Sequence, residues 1–182
     1  ASQMFGNALI LTDSFDPVGT PEVLSREGVT LAGAGTVFHQ AYVAYQRRHV
    51  HPVFADVRAF PGGGAPKPPS LVAEIRSLFD SPVLSGYGLT EAPVLTMADV
   101  SDADDELEVS EGKAMVGVEL HIHRGDGSRA ADGEDGEIRA RGPQMMRGYL
   151  DPALDLEAFD EDGFFRTGDL GHLDDRGNLV IT

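Results

Sequence analysis

The stretch from Ser85 to Glu91, SGYGLTE, gathers a phenol ring, two glycines, a hydroxyl and a carboxylate. Tyr87 offers a ring face for stacking on a planar group. Thr90 supplies a hydroxyl, and Glu91 a hard oxygen of the kind that Mg2+ prefers. A second stretch, Pro61 to Pro68 (PGGGAPKP), is a glycine loop that tolerates positive φ and lets the backbone approach a planar or anionic ligand. A third, Gly163 to Leu179 (GFFRTGDLGHLDDRGNL), contains a Thr167-Gly168-Asp169 bend. A carboxylate held at such a bend suits recognition of vicinal ribose hydroxyls. Each feature also has a plain structural reading: a glycine turn, a packed tyrosine, a Thr-Glu helix start, a β-hairpin. The first two stretches lie at successive strand ends, which keeps a shared ligand role open beside these plain readings, because ligands of parallel sheets bind beyond the carboxyl ends of the strands.

The elements that must position these residues fall into two styles. In the first half, Ala8 to Thr12, Val29 to Gly33, Val57 to Phe60 and Pro82 to Gly86 read as strands bounded by Gly, Pro or Asp. Helical patterns lie between them. TPEVLSREG has Thr20 as N-cap, Pro21 at the first helical position and Gly28 at the end, and PPSLVAEIRSLF puts Leu71, Ile75, Leu78 and Phe79 on one face. Such alternation predicts a parallel α/β arrangement. Past Met97 the pattern changes. Asp99 to Gly112 is an acidic excursion read as a solvated loop. Beyond it VGVELHIHR, GEIRARG, GFFRTGDLGHL and GNLVIT alternate apolar and polar residues between the turns GDGS, DGEDG and DDRG, which predicts antiparallel, barrel-like structure. The fold class is therefore α/β, with parallel β/α layers followed by a β-rich, barrel-like antiparallel subdomain.

Composition narrows the functional classes. With 182 residues, 41% hydrophobic and 24% charged, the chain has the mix of a folded domain. A net charge of −16 opposes a nucleic-acid role, which draws on clustered cations. The absence of cysteine removes disulfides and thiolate chemistry. No segment has the length and apolarity of a transmembrane helix, and the expectation is a cytoplasmic protein. His121 and His123 share one strand face but bring no third metal ligand, Phe38 interrupts a dinucleotide fingerprint, and no Walker-type loop occurs. The chain ends at Thr182 within an apolar strand pattern, which suggests part of a longer protein.

In order along the chain, GGAP (Gly63 to Pro66), YGLTE (Tyr87 to Glu91), GEIRARGPQMMRGYLDP (Gly136 to Pro152) and GFFRTGDLGHLDDRGNL (Gly163 to Leu179) resemble the AMP-forming acyl-CoA synthetases, the adenylate-forming, luciferase-like ligase family. Ala8 to Pro17 and Val29 to Phe38 also look like family segments, so the resemblance covers nearly the whole chain. It implies an internal fragment of the large N-terminal domain, with residues 1–98 its α/β portion and 99–182 its β-rich subdomain. The family's phosphate-loop region would lie upstream, and its C-terminal lid with the adenylation lysine downstream.

The chemistry so implied activates a carboxylic acid, expected to be a fatty acid, with ATP and Mg2+ to an acyl-adenylate, from which coenzyme A displaces AMP. Carried over position by position, Gly63, Gly64 and Ala65 would face adenine, with Tyr87 and Gly88 on its other side. Thr90 would meet phosphate, Glu91 would hold Mg2+, and Asp169 would bind the ribose; Thr90 and Glu91 are the candidate catalytic pair. Gly33, Thr36, Phe38, Gly86 and Leu89 would line the acyl pocket, and Gly35 stands where many relatives have proline. The fragment alone is expected to be inactive. Two alternatives stay open: a fatty-acyl-AMP ligase or other adenylating enzyme that delivers to a carrier protein, and a non-catalytic nucleotide-binding module.

Overall fold

A computed structural model describes residues 6–33, 35–64 and 67–182. The chain divides into two units, Ala1–Val83 and Leu84–Thr182. In the first, the parallel connection between segments is carried by a bridge from Leu31 to Ala59 and by the Phe60 N–H, which donates to the Pro82 carbonyl at 2.9 Å. Strand β1 (Phe60–Gly63) starts three residues later than Val57 and takes in the beginning of the glycine loop. The Val29 to Gly33 strand shrinks to that single bridge, and Ala8 to Thr12 has no ladder. There Ile10 is packed against the core while Leu9 and Leu11 are exposed, so the alternation is real although no partner strand is present among the described residues.

Helix α1 (Gly19–Arg26) is capped differently from the sequence expectation. Thr20 is a buried helical residue whose Oγ1 accepts the Asp16 N–H at 2.9 Å, and the Asp16 carboxylate accepts the Val18 N–H at 3.0 Å and the Gly19 N–H. Asp16 thus satisfies the orphan donors, and those backbone hydrogen bonds lower its pKa. Helix α2 (Thr36–Gln46) was not expected. Its inward positions His39, Tyr42, Val43 and Gln46 follow the i, i+3, i+4, i+7 rule, but two of the four are polar and the rest are β-branched or aromatic. Gln46 is buried because it staples the following loop: its Oε1 accepts the Val53 N–H at 2.7 Å and its Nε2 donates to the His51 carbonyl at 3.1 Å. Helix α3 (Pro69–Phe79) begins on prolines as expected and buries Leu71, Val72, Ile75 and Phe79. These meet Tyr42, Phe54 and Phe60 in an aromatic-rich core, with Phe60 and Phe79 ring centroids 4.9 Å apart.

Strand β2 (Val83–Gly86) leads into the second unit. There β3 (Thr96–Met97) pairs antiparallel with β4 (Lys113–Ala114). The acidic excursion between them is not a plain solvated loop: it contains α4 (Asp104–Val109), whose Leu107 is buried and whose Glu106 pairs with Arg176. The main feature is an antiparallel sheet of β5 (Glu119–His123), β6 (Gly136–Arg141), β7 (Phe165–Leu173) and β8 (Leu179–Ile181) in sequential order. Helix α5 (Asp155–Ala158) precedes β7. Ile122, Ile138 and Leu179 form the sheet's core. The expected turns occur, with Gly127, Gly133 and Gly177 all at positive φ. The α/β class with a β-rich antiparallel portion is thus the observed fold. Among the described residues no helix is long and apolar enough to cross a membrane.

Candidate nucleotide site

At Gly86 the chain leaves β2 and doubles back on itself. The Ser85 carbonyl accepts the Ala98 N–H at 2.8 Å, and the Tyr87 carbonyl accepts the N–H groups of Leu95 and Thr96 at 2.8 and 3.1 Å. Leu89 and Ala92 exchange both of their N–H to carbonyl bonds, at 3.1 and 3.2 Å. Thr90 and Glu91 therefore form the two-residue tip of a tight reversal, where a helix start had been the plain alternative. The close return explains the glycines. A Cβ at Gly88 would lie 2.5 Å from the Val94 nitrogen, and one at Gly86 would lie 2.7 Å from the Thr96 oxygen. Leu89 packs against Ala92, Leu95 and Ala140, while Thr90 is exposed and Glu91 half-buried.

Tyr87 is fixed at both ends. Its N–H donates to Thr96 Oγ1 at 3.1 Å, and the Thr96 hydroxyl donates to the Glu111 carbonyl at 2.5 Å. The ring packs against the clusters around Leu95 and Ile138, and its hydroxyl donates to Asp169 Oδ2 at 2.6 Å. Burial first, and then the hydrogen bond to Asp169, push the phenol pKa up, so Tyr87 remains a proton donor.

Asp169 owes its position to a bulge. Glu137 pairs with Leu170 and Arg139 with Arg166, so residues 167, 168 and 169 of β7 stand opposite Ile138 alone. Gly168, at φ 74°, supplies the left-handed residue, and Thr167 closes the bulge: its hydroxyl donates to the Ile138 carbonyl at 2.7 Å and accepts the Asp169 N–H at 3.1 Å. What reads as a bend in sequence is an irregularity inside one continuous strand. The outcome is an aromatic ring and a carboxylate, 82 positions apart in sequence, joined by a short hydrogen bond. A ring and a carboxylate so joined have the chemistry to take a nucleoside, the ring by stacking and the carboxylate by accepting from diol hydroxyls.

Glu91 has a different surrounding. Its Oε1 accepts the Tyr149 hydroxyl at 3.0 Å and its backbone carbonyl accepts the Met146 N–H at 2.8 Å. It forms no ion pair with Lys or Arg among the described residues, which leaves Oε2 as a hard oxygen donor suited to Mg2+. The described residues contain no group of three His, Cys, Asp or Glu arranged to hold a metal, so Glu91 fits only a cation that brings other ligands, as a phosphate-bound Mg2+ does. His121 stacks on Phe164 at 4.0 Å and the His123 ring bonds the Gly127 carbonyl at 3.0 Å, both structural uses.

In the first unit, the start of α2 lies against the glycine loop. A Cβ at Gly35 would be 3.5 Å from the Gly63 carbonyl oxygen, and one at Gly33 would be 3.8 Å from that of Pro61. Gly64 sits at φ 78° with open space around its Cβ position. Thr36 opens α2, and Phe38 packs edge-on to Phe15 with centroids 4.6 Å apart. Ala65 lies outside the described residues. Sequence reasoning assigned no role to Tyr149, Thr96 or Thr167. Tyr149 stands within the Gly136 to Pro152 stretch, but nothing in its neighbours announces a partner 58 positions away.

The fold is that of the adenylate-forming enzymes: the luciferase-like enzyme of Zophobas morio superposes with a TM-score of 0.87 at 24% identity over 100% of this chain and 44% of that one. Residues 1–150 match the AMP-binding enzyme family, and the chain belongs to it. It is 37% identical over 172 residues to the 3-[(3aS,4S,7aS)-7a-methyl-1,5-dioxo-octahydro-1H-inden-4-yl]propanoyl:CoA ligase of Rhodococcus jostii, covering 92% of this chain and 31% of that enzyme. The O-succinylbenzoate coenzyme A synthetase of Bacillus subtilis, solved in complex with ATP and magnesium ion, aligns at 29% identity with a TM-score of 0.84 over 99% of this chain and 37% of that one. The chain thus spans about a third of the length of the curated relatives it matches.

Proposed function

We propose that this chain is the nucleotide-handling portion of an AMP-forming acid–CoA ligase. The observation that carries the proposal is the hydrogen bond from Tyr87 to Asp169, which sets an aromatic face beside a ribose-type acceptor in a member of the AMP-binding enzyme family. In the first half-reaction a carboxylate oxygen of the acid attacks the α-phosphorus of ATP, and the bond to pyrophosphate breaks. In the second, the thiol sulfur of coenzyme A attacks the acyl carbonyl, loses its proton, and AMP leaves. Tyr87 stacks on adenine and Asp169 accepts the ribose hydroxyls, holding the phosphates in register for attack. Thr90, exposed at the tip, donates to phosphate, and Glu91 supplies a carboxylate to the ATP-bound cation. Bound Mg2+ would neutralise phosphate charge.

The acid is a carboxylate with a substantial apolar body, and a fatty acid is the reading carried by the sequence resemblance. The names of the Rhodococcus and Bacillus relatives specify ring-bearing acids, so both types belong in the test. The longer protein that contains this chain, incubated with ATP, Mg2+, coenzyme A and straight-chain, aromatic and polycyclic acids, is expected to release AMP and pyrophosphate only when an acid is present, and to form a thioester. AMP formation that ignores the acid, or none with any acid, would overturn the proposal.

A further inference from the structure

The segment from Gly142 to Asp155 has no role in the chemistry above, yet it grips the tip of the Tyr87 to Thr96 reversal at two points. Besides the Met146 N–H on the Glu91 carbonyl, the Tyr149 hydroxyl reaches the Glu91 side chain at 3.0 Å. Tyr149 is in turn held from behind. Its N–H donates to Asp155 Oδ1 at 2.9 Å, and Gly148 adopts φ 146° in a space where a Cβ would stand 2.5 Å from Asp155 Oδ2. Asp155 is the first residue of α5, so the phenol is mounted on a helix end through a carboxylate and a glycine that cannot be replaced without displacing it. A flexible glutamate, half-buried at the tip, would otherwise sample several rotamers.

We propose that Tyr149 is a positioning residue for Glu91. By occupying Oε1 it fixes the carboxylate rotamer and reserves Oε2 for a divalent cation carried by the nucleotide. The inference rests on the ligase reading above. Outer hydrogen-bond partners of metal-binding carboxylates commonly change metal affinity by about 10-fold to 100-fold.

The test uses the longer protein, Mn2+ as the probe cation, and ATP without acid. Free Mn2+ is followed by electron paramagnetic resonance, and metal-free ATP binding is measured by calorimetry in EDTA. Tyr149→Phe is expected to raise the ATP-linked Mn2+ dissociation constant about 10-fold, with metal-free ATP affinity and thermal midpoint unchanged. In a Glu91→Gln background the same substitution should have no further effect on Mn2+, because Tyr149 acts through Glu91. Unchanged Mn2+ affinity in folded Tyr149→Phe overturns the inference. An equal loss of metal-bound and metal-free ATP binding, or an effect that persists with Glu91→Gln, does the same and marks Tyr149 as a structural support. If the unsubstituted protein binds ATP no better with Mn2+ than without it, the metal-dependent ligase reading itself fails.

Discussion

At the scale of single residues, the proposed nucleoside site gives Tyr87 the face and Asp169 the edge, joined by one hydrogen bond. Asp169→Asn keeps the shape but removes the charge from the acceptor, and should weaken AMP binding by the longer protein about 10-fold by calorimetry. Tyr87→Phe keeps the stacking face and loses the hydroxyl, so its loss should be smaller. A larger loss in Tyr87→Phe than in Asp169→Asn would show that the acceptor is not Asp169. His39 makes a prediction that needs no ligand. It is 2% exposed, its Nε2 has no hydrogen-bond partner among the described residues, and burial lowers its pKa from 6.5, with the backbone carbonyls of Ala32 and Pro61 opposing that shift. The unfolded chain then binds a proton that the folded chain refuses. The stability contribution is fully present above pH 6.5 and is lost as pH falls through the folded value. Denaturant titrations of the chain should show unfolding free energy declining below that pH, and His39→Leu should flatten the decline.

At the scale of elements, the bulge in β7 makes Gly168 a residue with two duties. Gly168→Ala places a side chain in the left-handed region at a cost of about 1–2 kcal/mol, and should also weaken AMP binding because it moves Asp169. Gly177 sits at φ 80° in the turn between β7 and β8, again with open space at its Cβ position, so Gly177→Ala should cost similar stability and leave AMP binding alone. Equal binding losses from both would show that the bulge does not position Asp169. These elements also show what sequence can and cannot convey. The hairpin turns were legible because Gly127, Gly133 and Gly177 mark them by residue type. The bulge was not, because a positive-φ glycine looks the same in a turn and in a strand; only the register against β6 separates them. Helix α2 was hidden because His39 and Gln46 occupy inward positions, where a pattern of apolar spacing counts them as outward. The candidate site's residue types stood out in YGLTE and TGD, whereas its connections, from Thr96 to Tyr87 and from Tyr149 to Glu91, are long-range and leave no local signature.

At the scale of the molecule, a charge of −16 on 182 residues makes self-repulsion a general cost of folding. Raising salt from about 0.01 M to about 0.1 M shortens the screening length from roughly 30 to 10 Å, and the thermal midpoint of the chain should rise accordingly. A fall would mean that ion pairs such as those of Arg139 with Glu137 and Asp160 outweigh the net repulsion. The four tyrosines carry one more consequence. The chain has no tryptophan, and Tyr42, Tyr45, Tyr87 and Tyr149 all have phenol pKa values raised above the ordinary 10.0. Burial accounts for Tyr42 and leads the causes for Tyr45 and Tyr87, while the bond to Glu91 leads for Tyr149. Since the folded form holds these protons more tightly, it is favoured below pH 10.0 and loses that advantage as pH rises further. In an alkaline titration, phenolate absorbance should therefore lag behind that of free tyrosine and then arrive together with unfolding. Two of the rings belong to each unit, so the protein carries its own optical reporters of whether the two units unfold in one step or in two.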